Sequence, residues 1–132
     1  SRVNDSKTTI QNLKDQVVAF RDARGWAKHH TPKNLSMSIA IEAAELMEHF
    51  QWDTYSKQDR QEIADELSDI LAYCFNLAAT LDIDIASAYT NKLKRAAKKF
   101  PTSVFNPQND NPEKYVQIKQ AYRAGKNNPS SH

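Results

Sequence analysis

The chain has 132 residues, two glycines (Gly25 and Gly125), one cysteine and a formal net charge of +2. Two isolated glycines exclude folds built on a Gly-rich phosphate loop. The single Cys74 excludes an internal disulfide or a Cys-based zinc site, and no apolar run approaches the ~18 residues of a membrane span.

Sixteen alanines among strong helix formers predict an all-α protein of one domain. The first helix is expected from about Thr8 to Arg24, with Ile10, Leu13, Val17 and Phe20 at helical spacing and Gly25 as its stop. Trp26 to Lys33 contains Pro32 and reads as a loop. The second helix is expected from Asn34 or Leu35 to Phe50. The third starts near Ser56, a good N-cap, and runs to Leu81. The fourth follows Asp84 and ends at Pro101, with Ile85, Tyr89, Leu93, Ala96 and Phe100 along one stripe. The segment TSVFNPQNDNP is a turn-rich linker. Asn111-Pro112-Glu113 then opens a last helix by a capping side chain and Pro at the first helical position, and Gly125 closes it. The expected organisation is residues 1–7, disordered or foreign to the natural chain; a helical domain over 8–101; a linker and C-terminal helix over 102–125; and a disordered tail over 126–132. No segment near the start has a signal peptide's apolar core, so a cytoplasmic protein is expected.

The charge is unevenly spread. Residues 1–90 carry 9 basic and 14 acidic side chains, whereas residues 91–132 carry 9 basic and 2 acidic. A basic segment of this kind suits nucleic acid, or an anionic ligand shared with an acidic metal site. A solvated lysine-rich helix accounts for the same charges.

Five of the six glutamates lie between positions 42 and 66. They include the spacings Glu42-x-x-Glu45 and Glu66-x-x-Asp69, each of which sets two carboxylates on one helix face. In an antiparallel hairpin, residues at equal height share a constant sum of positions. The pairs Glu42 with Asp69 and Glu45 with Glu66 share one sum, 111, whose midpoint falls in the loop DTYSKQ. Four carboxylates should therefore meet between two helices. Glu42 lies inside the stripe Leu35, Ile39, Leu46 and Phe50, where an uncompensated acid is costly. Glu45 lies about 60° away, at its edge. At about 4 Å such charges repel by ~1 kcal/mol per pair in water and ~4 kcal/mol at an effective dielectric near 20. The cluster needs bound cations or trapped protons. All-carboxylate coordination suits Mg²⁺ or Mn²⁺, not zinc. No histidine lies three residues after a glutamate, which excludes a di-iron bundle.

Together with RDARGWAKHHTPKNLSMSIAIEAAELMEHFQW, DELSDILAYCFNLA and KLKRAAKKFP, this quartet resembles the MazG-like all-α nucleoside triphosphate pyrophosphohydrolases, closest to their dCTP pyrophosphatase branch. The resemblance implies an antiparallel four-helix bundle with an extra C-terminal helix. It implies Mg²⁺-dependent cleavage of a dNTP, dCTP favoured, to dNMP and pyrophosphate, in clearing the nucleotide pool; because aromatic stacking separates bases weakly, dATP is expected as a second substrate. Glu42, Glu45, Glu66 and Asp69 would hold Mg²⁺, with Mn²⁺ able to substitute, and Glu42 or Glu45 would orient or deprotonate the attacking water. Trp26 and Trp52 match aromatic residues that line the base and sugar pocket, and Tyr73 matches a substrate-contacting tyrosine. Lys33 and Asn34 match a basic-Asn pair, and Lys92 and Lys99 match basic residues near the phosphates. The branch usually has Asn where this chain has Ala96, and can have His where it has Val17. The resemblance also implies a homo-oligomer, a tetramer built as a dimer of dimers, with no nucleic acid or membrane partner. The competing readings are a helical module that binds nucleic acid through its basic C-terminal segment, and a structural bundle whose acids form surface ion pairs.

Overall fold

The computed structural model describes residues 3–52 and 59–126. The Ser56 cap, the hairpin midpoint and the tail beyond Lys126 lie outside them. Among the described residues there are five α-helices, one 3-10 turn and an isolated bridge between Asn106 and Asn109, with no strand. The all-α expectation holds.

Helix α1 spans Ile10–Ala23. Thr9 caps it by accepting a hydrogen bond from the Asn12 amide at 3.0 Å, satisfying one of the free amides of the first turn. It ends where Gly25 turns to φ +67, a conformation that costs glycine little. A 3-10 turn at Ala27–His29 follows.

Helix α2 spans Pro32–Glu48, so Pro32 and Lys33, expected in a loop, belong to its first turn. The proline removes only an amide that would be unbonded at that position. Thr31 supplies the cap, accepting from the Asn34 amide at 3.2 Å. Helix α3 spans Asp59–Thr80 and ends in a turn in which the Ile83 amide donates to the Ala78 carbonyl at 2.8 Å. Helix α4 spans Ile85–Lys99 and α5 spans Pro112–Lys126. Gly125 does not close α5; it lies within the last turn, with nothing close to where its Cβ would be. Without a positive φ, glycine weakens a helix by about 1 kcal/mol but does not end it. Asn111, just ahead of α5, has φ 46, and its Nδ2 donates to the Val104 carbonyl at 2.5 Å.

The chain divides into two compact units, Ser1–Ala86 and Ser87–His132. In the first, α2 and α3 pack most extensively and α1 lies on α3. Its buried apolar residues are Leu35, Phe75 and Ala78, joined by one buried polar side chain, Asn76. Met37, Ile41 and Met47 of α2 and Leu67 and Leu71 of α3 are exposed. In the second unit, Phe100 packs against Phe105 and Tyr115, with ring centroids 5.4 and 5.1 Å apart. No single described helix is long and apolar enough to cross a membrane.

Candidate active site

The α2–α3 pair brings three of the four acids together. One oxygen from each of Glu42, Glu45 and Glu66 lies within 4.8 Å of the others. Glu42 Oε2 and Glu66 Oε2 are both buried without a hydrogen-bond partner. Desolvation is the main force pushing the Glu42 carboxyl up to about 7 from an ordinary 4.5. Hydrogen bonding with Glu45 and Glu66, and then the charges of Glu45 and Asp69, push in the same direction. A carboxylate that holds its proton to neutrality is the trapped-proton answer to charge crowding. Two unpaired oxygens in an all-carboxylate set are also the donors a hard divalent cation takes, so the residues fit such an ion.

His49 stands at the edge of this cluster. Its Nδ1 is 3.9 Å from Glu62 and its Nε2 is 3.9 Å from Glu66. Nothing in the sequence spacing marks this histidine, which reaches α3 only because the two helices pack.

Asp69 has a second place. It lines a cavity of about 170 Å³ with Val17, Phe20, Arg21, Trp26, His30, Ala72, Tyr73 and Asn76. On α3 the residues Asp69, Ala72, Tyr73 and Asn76 recur at helical spacing and form one wall. Helix α1 and the turn after it supply the other. Trp26 meets Phe20 edge to face with centroids 5.8 Å apart, and Arg24 lies 3.5 Å from the Phe20 ring centroid. His30 approaches Tyr73 edge to face at 6.5 Å and keeps its Nδ1 buried and unpaired. The result is a cavity with aromatic residues in both walls that includes Asp69.

A profile of the MazG-like family matches residues 37–115. The chain belongs to the MazG-like family. This MazG-like chain is 31% identical to dCTP pyrophosphatase 1 of Bos taurus over 104 residues, which are 73% of this chain and 62% of that protein. It is 31% identical to dCTP pyrophosphatase 1 of Homo sapiens over 101 residues, 70% of this chain and 59% of that one. It thus spans about three fifths of the length of the curated relatives it matches. Its fold is similar to that of a pyrophosphatase from Archaeoglobus fulgidus DSM 4304, with a TM-score of 0.61 and 39% identity over 70% of this chain and 92% of that one.

Within the MazG-like chain the expected site residues fall into groups. Glu42, Glu45 and Glu66 cluster; Asp69 lies outside that close group, near enough for its charge to act on Glu42, and shares a cavity with Trp26 and Tyr73. Trp52 is 79% exposed and is not a wall of that cavity. Lys33 and Asn34 are exposed on the first turn of α2, and Asn34 braces the preceding turn by donating to the His29 carbonyl at 3.0 Å. Lys92 and Lys99, in the second unit, lie 5.5 and 3.8 Å from the Tyr122 ring centroid. Arg21, His30 and Asn76 are cavity residues that the sequence reading did not single out. For Asn76 a signal existed: it is the polar exception in the run LAYCFNLAA and falls on the face of Asp69 and Tyr73.

Proposed function

We propose that the protein is a Mg²⁺-dependent nucleoside triphosphate pyrophosphohydrolase that cleaves a dNTP, dCTP first and dATP second, to dNMP and pyrophosphate. The observation that carries this reading is the juxtaposition of a carboxylate cluster with two buried unpaired oxygens and a flat-walled cavity that shares Asp69. One part suits a metal-bound triphosphate, the other a heterocyclic ring. The names of the relatives agree with it.

Glu42, Glu45, Glu66 and Asp69 would hold Mg²⁺, which would polarise the phosphates and lower the pKa of a water. Mn²⁺ can substitute. Glu42 or Glu45 takes the proton from the attacking water, whose oxygen ends on phosphorus as the α–β anhydride breaks and pyrophosphate leaves. Trp26 and Tyr73 flank the base. Positioning and charge neutralisation supply most of what phosphoryl transfer requires. By resemblance to the family, Lys33, Asn34, Trp52, Lys92 and Lys99 are proposed as further substrate-binding residues.

The assembly proposed is a homo-oligomer, a tetramer built as a dimer of dimers. It is supported by the exposed apolar residues of α2 and α3 and by Trp52, surfaces that a second chain would cover. The test of function is product analysis. Incubation with dCTP and Mg²⁺ should give dCMP and pyrophosphate in equal amounts. Release of dCDP and phosphate, or no turnover of any dNTP, would contradict it.

A further inference from the structure

Asn76 is the one buried polar residue among the described residues, at 3% exposure. Its neighbours in sequence, Phe75 and Ala78, are core residues, and an apolar side chain would fill its place without leaving a polar atom to satisfy. A buried carboxamide needs partners for both ends. Only one end has a partner: Nδ2 donates to the Ala72 carbonyl, one turn back, at 3.1 Å. A carbonyl can only accept, so this bond fixes which way the amide faces. It leaves Oδ1, a pure acceptor, buried and unpaired.

Asn76 lines the same cavity as Trp26 and Tyr73. Asp69 and Asn76 are seven residues apart on α3, ~10 Å at 1.5 Å per residue. A nucleotide whose phosphates lie at the carboxylates would therefore present the edge of its base near Asn76. The occupant that satisfies the cavity is a flat ring bearing an N–H donor on its edge.

We propose that Asn76 is the residue that selects the base, its Oδ1 accepting a hydrogen bond from the exocyclic amine of cytosine, and of adenine in the second substrate. The inference rests on the proposed function and deepens it. In thymine the corresponding atom is a carbonyl oxygen, and two acceptors facing each other in a desolvated slot repel. A site with a buried hydrogen-bonding group rejects analogues that leave it unpaired far better than an apolar pocket rejects a change of size. Stacking between Trp26 and Tyr73 holds any base, and Asn76 tells one edge from another.

The test is a cycle between enzyme and substrate. The substrates are dCTP, dTTP and the analogue of dCTP that lacks the 4-amino group. The enzymes are wild type, Asn76→Leu and Asn76→Ala, each confirmed folded by its melting curve. Wild type should prefer dCTP to the deaminated analogue and to dTTP by roughly 10- to 100-fold in kcat/KM, the range for an unsatisfied buried group. Asn76→Leu should lose about that factor on dCTP and change little on the analogue, so that the two deletions are not additive. The proposal is overturned if removing the amine costs wild type nothing, or if the variants keep the wild-type preference for dCTP. The wild-type comparison needs no variant to fold. Turnover of dCTP with no role for Asn76 would leave the proposed function standing, whereas no turnover of any dNTP would remove both.

Discussion

Glu42 of α2 and Glu66 of α3 face each other across the helix pair, and each keeps Oε2 buried without a partner. Two acids in that relation are stable only with something positive or something protonated between them. Without metal the proton is favoured there, since desolvation and its acidic neighbours push the Glu42 carboxyl up to about 7.

Glu42→Gln keeps the shape and the hydrogen bond of the protonated acid but removes the charge. Without metal at pH 8, this variant should melt no lower than wild type. With Mg²⁺ it should lose roughly 100-fold or more in kcat/KM, the scale on which a positioned base acts. Melting curves and pyrophosphate release on one preparation check both parts. A variant that melts clearly lower and keeps its activity would contradict the reading.

The raised Glu42 also predicts the pH dependence. Between about 4.5 and about 7 the folded chain holds a proton that the unfolded chain has released. The stabilisation is therefore complete below 4.5 and is lost as pH rises through 7. Without metal, the Glu42 contribution should lower the melting temperature across that interval, and Glu42→Gln should flatten that part of the profile. A cation must displace the proton, so millimolar Mg²⁺ should raise the melting temperature more at pH 8 than at pH 6. Binding to the native state alone at a hundredfold excess over Kd adds ~2.7 kcal/mol. Equal shifts at the two pH values would count against the linkage.

Trp26→Ala should weaken nucleotide binding more than chemistry. Base stacking on an aromatic side chain is worth ~1–3 kcal/mol, so KM for dCTP should rise by roughly 5- to 100-fold with a smaller change in kcat. Steady-state kinetics separate the two. A fall in kcat at constant KM would move Trp26 out of the base slot.

Light scattering at micromolar concentration should give a mass about four times the 15.0 kDa chain. Ile41, 55% exposed on α2, belongs to the surfaces proposed to be covered. A monomer would contradict the assembly.

The acidic site was legible because an acid inside an apolar stripe is a conflict visible in one dimension. The shared positional sum of Glu42 with Asp69 and Glu45 with Glu66 then needed only the rule that hairpin helices run antiparallel. Helix ends were less legible. Pro32 reads as a breaker until Thr31 is seen to cap the turn in front of it, and Gly25 and Gly125 look alike until one proves to have φ +67 and the other lies within a helix. The burial of Asn76 depends on α1 lying on α3, a packing that periodicity in α3 does not reveal. Lys92 and Lys99 follow the same logic. Their face on α4 was readable, but the aromatic ring they surround comes from Tyr122 beyond the linker. Lys126, then Lys92, with Lys99 adding a smaller effect, hold its hydroxyl below the usual tyrosine range.

In the proposed mechanism the carboxylate cluster holds a divalent cation against a triphosphate. Pyrophosphate release from dCTP, followed as Mg²⁺ is titrated into metal-free wild type and into Glu66→Gln, tests this. Wild type should be inactive in EDTA and recover with a saturable dependence on Mg²⁺, and Glu66→Gln should need far more Mg²⁺ and remain slower at saturation. Full release in EDTA, or a Glu66→Gln curve that overlays the wild type, would contradict the account.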